Sequence, residues 1–186
     1  MASLIDIRRR LRSVKNTQQI TKAMKLVAAA RLRRSQDRVI AARPYARVLR
    51  DVLASVTSRA GETQHPLISV REEKKVQLVV VAGDKGLCGA FNANVHRAVH
   101  ALLARGSRWE SVAILPIGKK ALDYWKRRKT PLTPKAYPGI FTRVTREVAR
   151  EIAGELAEAF SSEQIDAVYV VYNEFKSVIS QIVRTE

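Results

Sequence analysis

The chain has 186 residues, of which 46% are hydrophobic and 6% aromatic, a composition that excludes a disordered or fibrous protein. Lys and Arg number 34 against 17 Asp and Glu, so the net charge is +17 and an acidic partner is expected: nucleic acid, lipid headgroups or an acidic protein surface. A single cysteine excludes an internal disulfide, and no apolar run approaches the roughly 20 residues that span a bilayer.

The N-terminal third of the chain carries most of this charge. Residues 1–59 contain 15 Lys and Arg against three Asp, which amounts to +12 of the total. Steps that alternate between three and four residues lead from Leu4 to Val56 and meet an apolar residue at 12 of 16 positions. A repeat of this length is typical of a left-handed coiled-coil seam. We therefore predict one basic helix over residues 4–56, bent near Pro44 and packed against partner helices. The repeat is weakest at three polar residues, Gln18, Thr21 and Lys25.

Beyond this helix the sequence predicts a linker and then an α/β domain. Residues 60–75 have no periodicity and contain Gly, Pro and a charged run, so they are assigned to the linker. Residues 76–186 alternate short β-branched runs with amphipathic stretches, which predicts a Rossmann-like α/β domain with right-handed crossovers. Its strands are expected at residues 76–82, 111–117 and 166–172, and its helices at 92–105, 118–128 and 144–160. A last strand at residues 178–183 would pair antiparallel with the strand before it.

A glycine loop, residues 83–89 (GDKGLCG), lies between the first predicted strand and the helix that follows, where α/β proteins often hold phosphate groups. Its spacing, G-x-x-G-x-x-G, matches neither the dinucleotide pattern G-x-G-x-x-G nor the P-loop pattern G-x-x-x-x-G-K-[ST]. The spacing therefore favours a tight turn or a protein-contact loop over a nucleotide site. Cys88 has no general base near it in the sequence, so we expect a small packed residue and not a nucleophile.

Two other patterns could carry chemistry, and neither is sufficient. His96 and His100 stand four residues apart on a predicted helix, a spacing that suits zinc, but no third ligand is apparent and we expect two solvated histidines. The glutamates of residues 147–158 alternate with arginines on the outer face of a predicted helix, which indicates solvation and not paired catalytic acids. The sequence therefore predicts no catalytic residue, no metal and no cofactor.

Three hypotheses remain for the basic helix: binding to nucleic acid, binding to a membrane surface, and docking into an acidic protein sleeve. Tyr45 is its one aromatic residue, which is little for stacking on bases. The seam is narrow and partly Ala, whereas a membrane-surface helix needs a bulky apolar face. The residues thus favour protein docking, with nucleic acid as the next hypothesis.

Four segments of the sequence stand out together: residues 7–36 (IRRRLRSVKNTQQITKAMKLVAAARLRRSQ), 83–92 (GDKGLCGAFN), 118–126 (GKKALDYWK) and 172–181 (YNEFKSVISQ). Their order, content and spacing closely resemble the gamma-subunit family of the F-type ATP synthase. The first segment is highly specific, and the resemblance covers essentially the entire chain.

This resemblance implies a non-catalytic rotor subunit of the proton-translocating enzyme. Its long helix would enter the central hole of the catalytic hexamer of alpha and beta subunits, and its α/β domain would hold the epsilon subunit and stand on the membrane c-ring. Rotation of the c-ring would then drive conformational change in the hexamer. The implied location is peripheral, on the cytoplasmic face of the bacterial inner membrane, without lipid insertion and without nucleic acid.

The resemblance also implies which residues touch the stator. Met24 matches the methionine that faces an acidic lever of the beta subunit, and a basic track lies beside it: Lys15, Lys22, Arg31, Arg33 and Arg34. The glycine loop matches the motif at the mouth of the hexamer, with the contact residues Lys85, Gly86, Leu87, Cys88 and Gly89.

The sequence departs from the family at its end. Family members continue into a last strand and a long C-terminal helix that pairs with the first, whereas this sequence ends at Glu186. We expect a fragment whose α/β domain is incomplete at its C-terminal end. The alternative hypothesis is a stand-alone basic α/β protein that binds RNA through the helix.

Overall fold

The computed structural model describes residues 3–59, 65–106, 108–142 and 144–186, and the chain divides into two compact units between Thr63 and Gln64. The first unit is one α-helix, α1 (Leu4–Arg59), of 56 residues, which continues through Pro44. The predicted helix is thereby confirmed, and it extends three residues past Val56. Residues 60–64, the first part of the predicted linker, lie outside the described residues.

Helix α1 buries none of its residues. Its large apolar side chains, those of the predicted seam included, each expose between 40% and 75% of their surface. Near the N-terminus, the Ser3 hydroxyl accepts a hydrogen bond from the Ile5 N–H (3.3 Å), and the Asp6 carboxylate accepts one from the Ser3 N–H (3.3 Å). These bonds satisfy free N–H groups of the first turn and place a negative charge at the positive end of the helix dipole.

The second unit is an α/β layer structure around a four-stranded sheet. The strands are β1 (Lys75–Val81), β2 (Ser111–Ile117), β3 (Ala167–Phe175) and β4 (Gln181–Thr185), in the order β2-β1-β3-β4. β1 pairs parallel with β2 and β3, and β4 pairs antiparallel with β3. The helices are α2 (Phe91–Arg105), α3 (Lys119–Arg127) and α4 (Arg146–Ser161), with 3-10 turns at Pro66–Ile68 and Ile140–Thr142. The predicted fold class, a long helix with an alternating α/β domain, is confirmed.

β1 lies at the centre of the packing because its apolar side chains point to both faces of the sheet. On one face, buried residues of β1 pack with α2 and α3: Val76, Leu78, Val80, Val95, Val99, Ala121 and Trp125. On the other face, Val79 and two residues of β2 pack with α4: Leu115, Ile117, Ile152 and Leu156. Helices thus cover both faces, and both helix-facing cores are built on the strand that the sequence identifies most clearly.

The last two strands differ in length and position from those predicted. β3 continues to Phe175, where a turn was expected, and β4 begins at Gln181 and not at residue 178. The reason is the turn itself: the Lys176 and Ser177 N–H groups donate to the Ser180 carbonyl at 3.2 and 3.0 Å, so the reversal occupies residues 176–180. The antiparallel pairing with the preceding strand is as predicted.

Residues 65–74, assigned from sequence to the linker, lie in the second unit. The Arg71 guanidinium donates to the Phe160 carbonyl at 2.8 Å and stands 4.6 Å from the centroid of the Phe160 ring. It therefore adds a second bond to a carbonyl in the last turn of α4, which also accepts from the Glu163 N–H at 3.2 Å, and it fastens this segment to the domain.

The sequence suggested that His96 is solvated, but this residue is buried, with only 4% of its surface exposed. The His96 ring stacks on the Tyr124 ring of α3 with a centroid separation of 3.7 Å. The Arg128 guanidinium also lies over the Tyr124 ring, 3.6 Å from its centroid. The prediction failed because α3 covers His96, and nothing in the spacing of α2 reveals that contact. Burial above all, followed by the charges of Arg128 and His100, lowers the pKa of His96 to about 4. His100 stays exposed, with its Nε2 3.0 Å from the Tyr124 hydroxyl.

The low pKa of His96 predicts an acid-sensitive fold. An unfolded histidine titrates near 6.5, so between pH 6.5 and 4 the unfolded chain binds a proton that the native chain excludes. Stability from this residue is therefore complete above pH 6.5 and is lost as the pH falls. When the pH is lowered from 7.5 to 4.5, the free energy of unfolding of the wild type should fall. For a His96→Gln variant this fall should be about 2 kcal/mol smaller. Urea unfolding followed by tryptophan fluorescence measures this difference.

A His100→Gln variant is the control, since His100 lies on the same helix and is exposed. It removes only the smallest of the three causes that lower the pKa of His96, so most of the wild-type dependence on pH should remain. Equal pH dependence in the wild type and the His96→Gln variant would show that His96 does not titrate on unfolding.

Candidate interaction surfaces

The contact residues expected on α1 are exposed but do not share one face. Lys15, Lys22, Met24, Arg31, Arg33 and Arg34 are all exposed, and none of the six forms an ion pair with another described residue. At 3.6 residues per turn, Lys15, Lys22 and Arg33 lie on one side of the helix, whereas Met24 and Arg31 lie roughly opposite. The positive charge therefore surrounds the helix.

In the polar stretch that interrupts the seam, the threonine hydroxyls are hydrogen-bonded within the helix. The Thr17 hydroxyl donates to the Ser13 carbonyl at 3.0 Å, and the Thr21 hydroxyl donates to the Thr17 carbonyl at 3.0 Å. Hydroxyls bonded to their own helix need no external partner. A partner can therefore contact this stretch without supplying hydrogen bonds to these threonines.

The glycine loop turns outward from the carboxyl edge of the sheet, by which we mean the edge where β1, β2 and β3 end. Lys85, Gly86, Leu87, Cys88 and Gly89 are all exposed, and Leu87 at the tip is fully so. Leu87 and Gly89 both have positive φ, of 58° and 56°. Glycine adopts this conformation readily, whereas a leucine there is strained. The loop thus holds an apolar side chain in water at some conformational cost.

Cys88 is exposed, so the expectation that it is packed was wrong. The Asn92 amide Nδ2 donates to the Cys88 Sγ at 3.2 Å and to the Lys85 carbonyl at 3.3 Å, and its Oδ1 accepts from the Gly83 N–H at 2.8 Å. These contacts hold the loop against the start of α2, with the thiol on the outside. Asn92 is therefore a positioning residue that sequence reasoning missed.

Asp84 is the second positioning residue that was missed. Its Oδ1 accepts from the Lys119 and Gly139 N–H groups, both at 2.8 Å, and its Oδ2 accepts from the Phe141 N–H at 3.2 Å. Burial raises the pKa of Asp84, but these three bonds and the charge of Lys119 outweigh it, and the pKa lies below its usual value. One carboxylate thus joins the glycine loop, the start of α3 and the turn at Ile140–Thr142.

The position of Asp84 bears on nucleotide binding. A free helix N-terminus attracts phosphate because its N–H groups and dipole are unsatisfied. At α3 the first N–H group donates to the Asp84 carboxylate, so an internal anion occupies the start of that helix. The start of α2, which directly follows the glycine loop, has no side-chain cap. The glycine spacing alone therefore argues against nucleotide binding at residues 83–89, and the absence of such binding stays a prediction.

Neither a metal cluster nor a membrane-spanning helix is found in the part of the chain that the structure describes. Within residues 3–59, 65–106, 108–142 and 144–186, no three His, Cys, Asp or Glu side chains are grouped so that they could hold a metal ion. In the same ranges, no helix combines the length and the apolar character needed to cross a bilayer.

Comparison with known proteins gives a consistent result. A family model described as ATP synthase matches residues 3–186. The ATP synthase gamma chain of Solibacter usitatus is 51% identical over 185 residues, which cover 97% of this chain and 64% of the relative. That of Chlorobium phaeobacteroides is 46% identical over 191 residues, covering 100% of this chain and 64% of the relative. The chain therefore spans slightly less than two thirds of the length of these relatives.

Solved structures show the same likeness. A chain of the central stalk and c-ring of the Tetrahymena thermophila mitochondrial ATP synthase matches with a TM-score of 0.69 and 27% identity, over 90% of this chain and 70% of that one. A rotor chain of the Euglena gracilis mitochondrial ATP synthase matches with a TM-score of 0.59 and 22% identity, over 96% and 60% of the two chains, and this is a likeness of fold.

The role of Asp84 predicts a graded loss of stability. We expect Asp84→Asn to lower the free energy of unfolding by about 1 kcal/mol, because an amide keeps one acceptor oxygen but loses the charge and the bond from Phe141. Asp84→Ala, which removes all three bonds, should lower it by about 2 to 3 kcal/mol. Because the pKa is lowered, the carboxylate stabilises the fold at neutral pH, and this contribution is lost as the pH falls below about 4. Urea unfolding at pH 7 and pH 3 measures both effects.

Asp123→Asn is the matched control, since Asp123 lies on α3, is also partly buried and forms no hydrogen bond with another described residue. Its unfolding free energy should stay within about 0.5 kcal/mol of the wild type. If Asp84→Ala were as stable as this control, the loops at the carboxyl edge would be held by other contacts.

Proposed function

Since the chain belongs to the ATP synthase gamma-chain family, we propose that it serves as the central-stalk rotor subunit of a proton-translocating F-type ATP synthase and catalyses no reaction itself. The observation that carries the proposal is helix α1, whose 56 residues include none that is buried. The resemblance implies the setting: a peripheral subunit on the cytoplasmic face of the bacterial inner membrane, in contact with the alpha, beta and epsilon subunits and the c-ring.

The exposed apolar seam of α1 favours the binding of a partner surface along the helix. Most helices in proteins owe their stability to packing of an apolar face more than to intrinsic propensity. At 1.5 Å per residue α1 is roughly 84 Å long, and an unpartnered seam of that length is a large apolar surface in water. A hexamer with a central hole would cover such a helix over much of its length.

The distribution of charge indicates what the partner surface is like. Lys15, Lys22 and Arg33 point to one side and Arg31 to the other, so a partner that binds only one face would leave cations unmatched. An acidic sleeve that surrounds the helix matches them all. In this proposal Met24 is a neutral position among the cations, facing the acidic lever of a beta subunit as the helix turns.

The glycine loop would add a second contact with the hexamer. Lys85, Gly86, Leu87, Cys88 and Gly89 are held in a fixed, exposed arrangement by Asn92. A preformed loop loses little entropy on binding, so its exposed leucine is well suited to a protein contact. This is the role that we propose for the loop.

The RNA-binding hypothesis receives no support. The relatives described above are named as ATP synthase chains, and none of those names refers to RNA. The basic charge on which that hypothesis depended is equally well explained by an acidic protein partner.

Assembly is the first test of the proposal. Mixed with purified alpha and beta subunits, the chain should form a stoichiometric complex that size-exclusion chromatography and mass spectrometry detect. An excess of RNA should not displace it, because docking into a shaped sleeve adds apolar contacts to the electrostatic attraction. Salt-sensitive binding to RNA without any complex would instead favour the alternative hypothesis.

Substitution of Met24 by Lys tests the proposed coupling. Met24 is 65% exposed, and Met and Lys have similar helix propensities, so the stability of the isolated chain should not change. In a reassembled enzyme the new ammonium group would pair with the acidic lever at some rotary positions and not at others. Such pairing raises the barrier between states by about 1 to 3 kcal/mol, or roughly tenfold to a hundredfold in rate.

The measurement compares ATP-driven proton pumping with ATP hydrolysis in reassembled complexes. The ratio of pumping to hydrolysis should fall for Met24→Lys and stay at the wild-type value for Met24→Leu, which keeps the size and neutrality of the side chain. An unchanged ratio and rate for the lysine variant would argue against any contact at this position.

A further inference from the structure

The hairpin between β3 and β4 carries two exposed apolar residues at its tip. Val178 is 56% exposed and Ile179 is 96% exposed. Turns usually carry Gly, Asn, Asp or Ser, so a valine followed by an isoleucine at a tip has no explanation in the local fold. The hairpin lies within the segment of residues 172–181, which resembles the family but received no role from the sequence.

The tip is held in a defined conformation. Besides the two bonds to the Ser180 carbonyl, the Ser180 N–H donates to the Ser177 hydroxyl at 3.1 Å. The Gln181 amide Nε2 donates to the Ser177 and Val178 carbonyls at 3.2 and 3.1 Å. The two apolar side chains are therefore presented by an ordered turn, which favours their use as a preformed contact.

The tip and the glycine loop lie at the same edge of the sheet. β1 and β3 are adjacent and parallel, so the loop that follows β1 and the hairpin that follows β3 both emerge at the carboxyl edge. The Asn173 amide Nδ2 donates to the Phe91 carbonyl at 3.1 Å, which ties the end of β3 to the first residue of α2, directly after the loop. Leu87 and Ile179 are thus carried by two segments that leave the same edge of the sheet from adjacent strands.

Positive charge accompanies these apolar tips. Lys85 precedes Leu87, and the Lys120 side chain passes Gly86, with its Cε 3.7 Å from where a β-carbon would stand. Neither lysine forms an ion pair with another described residue. The acidic groups of this edge are engaged elsewhere, since Asp84 accepts backbone N–H groups and Glu174 pairs with Lys176 and Arg184 at 2.7 and 2.8 Å.

We propose that Val178 and Ile179 form, together with Leu87, one docking surface, the edge surface, which binds an acidic protein surface that carries apolar side chains. The unpaired ammonium groups of Lys85 and Lys120 select acidic partners, and the apolar tips supply the buried area. The inference rests on the proposed function, because the partner is taken to be the assembly of alpha and beta subunits. It extends that function by giving the hairpin a role in the contact.

A competition assay tests the edge surface. Labelled wild-type chain and an unlabelled variant compete for limiting alpha and beta subunits, and the labelled fraction in the complex gives their relative affinities. Ile179→Ser should bind about five- to twentyfold more weakly than the wild type, since it removes an apolar side chain from a contact. Val70→Ser is the matched control, because Val70 is almost fully exposed and precedes β1, outside the edge surface.

Thermal unfolding of each variant accompanies the assay and should match the wild type, because both side chains are exposed. An Ile179→Ser variant that competes as well as Val70→Ser, while the wild-type chain forms its complex, would overturn the edge surface and leave the proposed function intact. Failure of the wild-type chain to enter any complex with alpha and beta subunits would overturn both. A loss confined to Ile179→Ser supports the hairpin contact.

Discussion

Helix α1 buries none of its side chains, and the interpretation of the molecule depends on this constraint. A coiled-coil seam is an apolar stripe that normally packs against another helix. Within the described residues, however, the seam of α1 is exposed to solvent from Leu4 to Val56. The free energy that keeps such a helix in place must therefore come from surfaces outside the described residues. The second unit differs, since its sheet is covered by helices on both faces and supplies its own core. The second unit therefore has a core of its own, whereas α1 has none within the described residues.

The sequence predicted those parts of the fold that depend on periodicity. The repeat of α1 and the apolar run of β1 are local patterns, and both elements are found where they were expected. Features that arise from contacts between distant elements escaped prediction. His96 is buried by Tyr124, 28 residues later in the chain, and β3 is lengthened by hydrogen bonds in the turn that follows it. A single sequence holds no signal for either contact.

The candidate contact residues were predicted by resemblance, whereas the residues that position them were not predicted at all. Lys85 to Gly89 could be named from their motif, but the bonds from Asp84 to Lys119, Gly139 and Phe141 connect three separate segments. A signal was present, because Asp and Asn beside glycines and at helix starts commonly bind backbone N–H groups. What the sequence could not supply was the identity of the partner groups.

The spread of cations around α1 has a mechanical consequence. A stripe of charge on one side of a cylinder would lock it at the angle where that stripe meets opposite charge. Cations that lie at different angles around the circumference, as Lys15, Lys25, Arg31 and Arg34 do, make the electrostatic energy depend less on the angle of the cylinder. In the proposed role, a helix charged in this way would be attracted to an acidic sleeve at every angle of rotation, so that attraction and turning would not exclude one another.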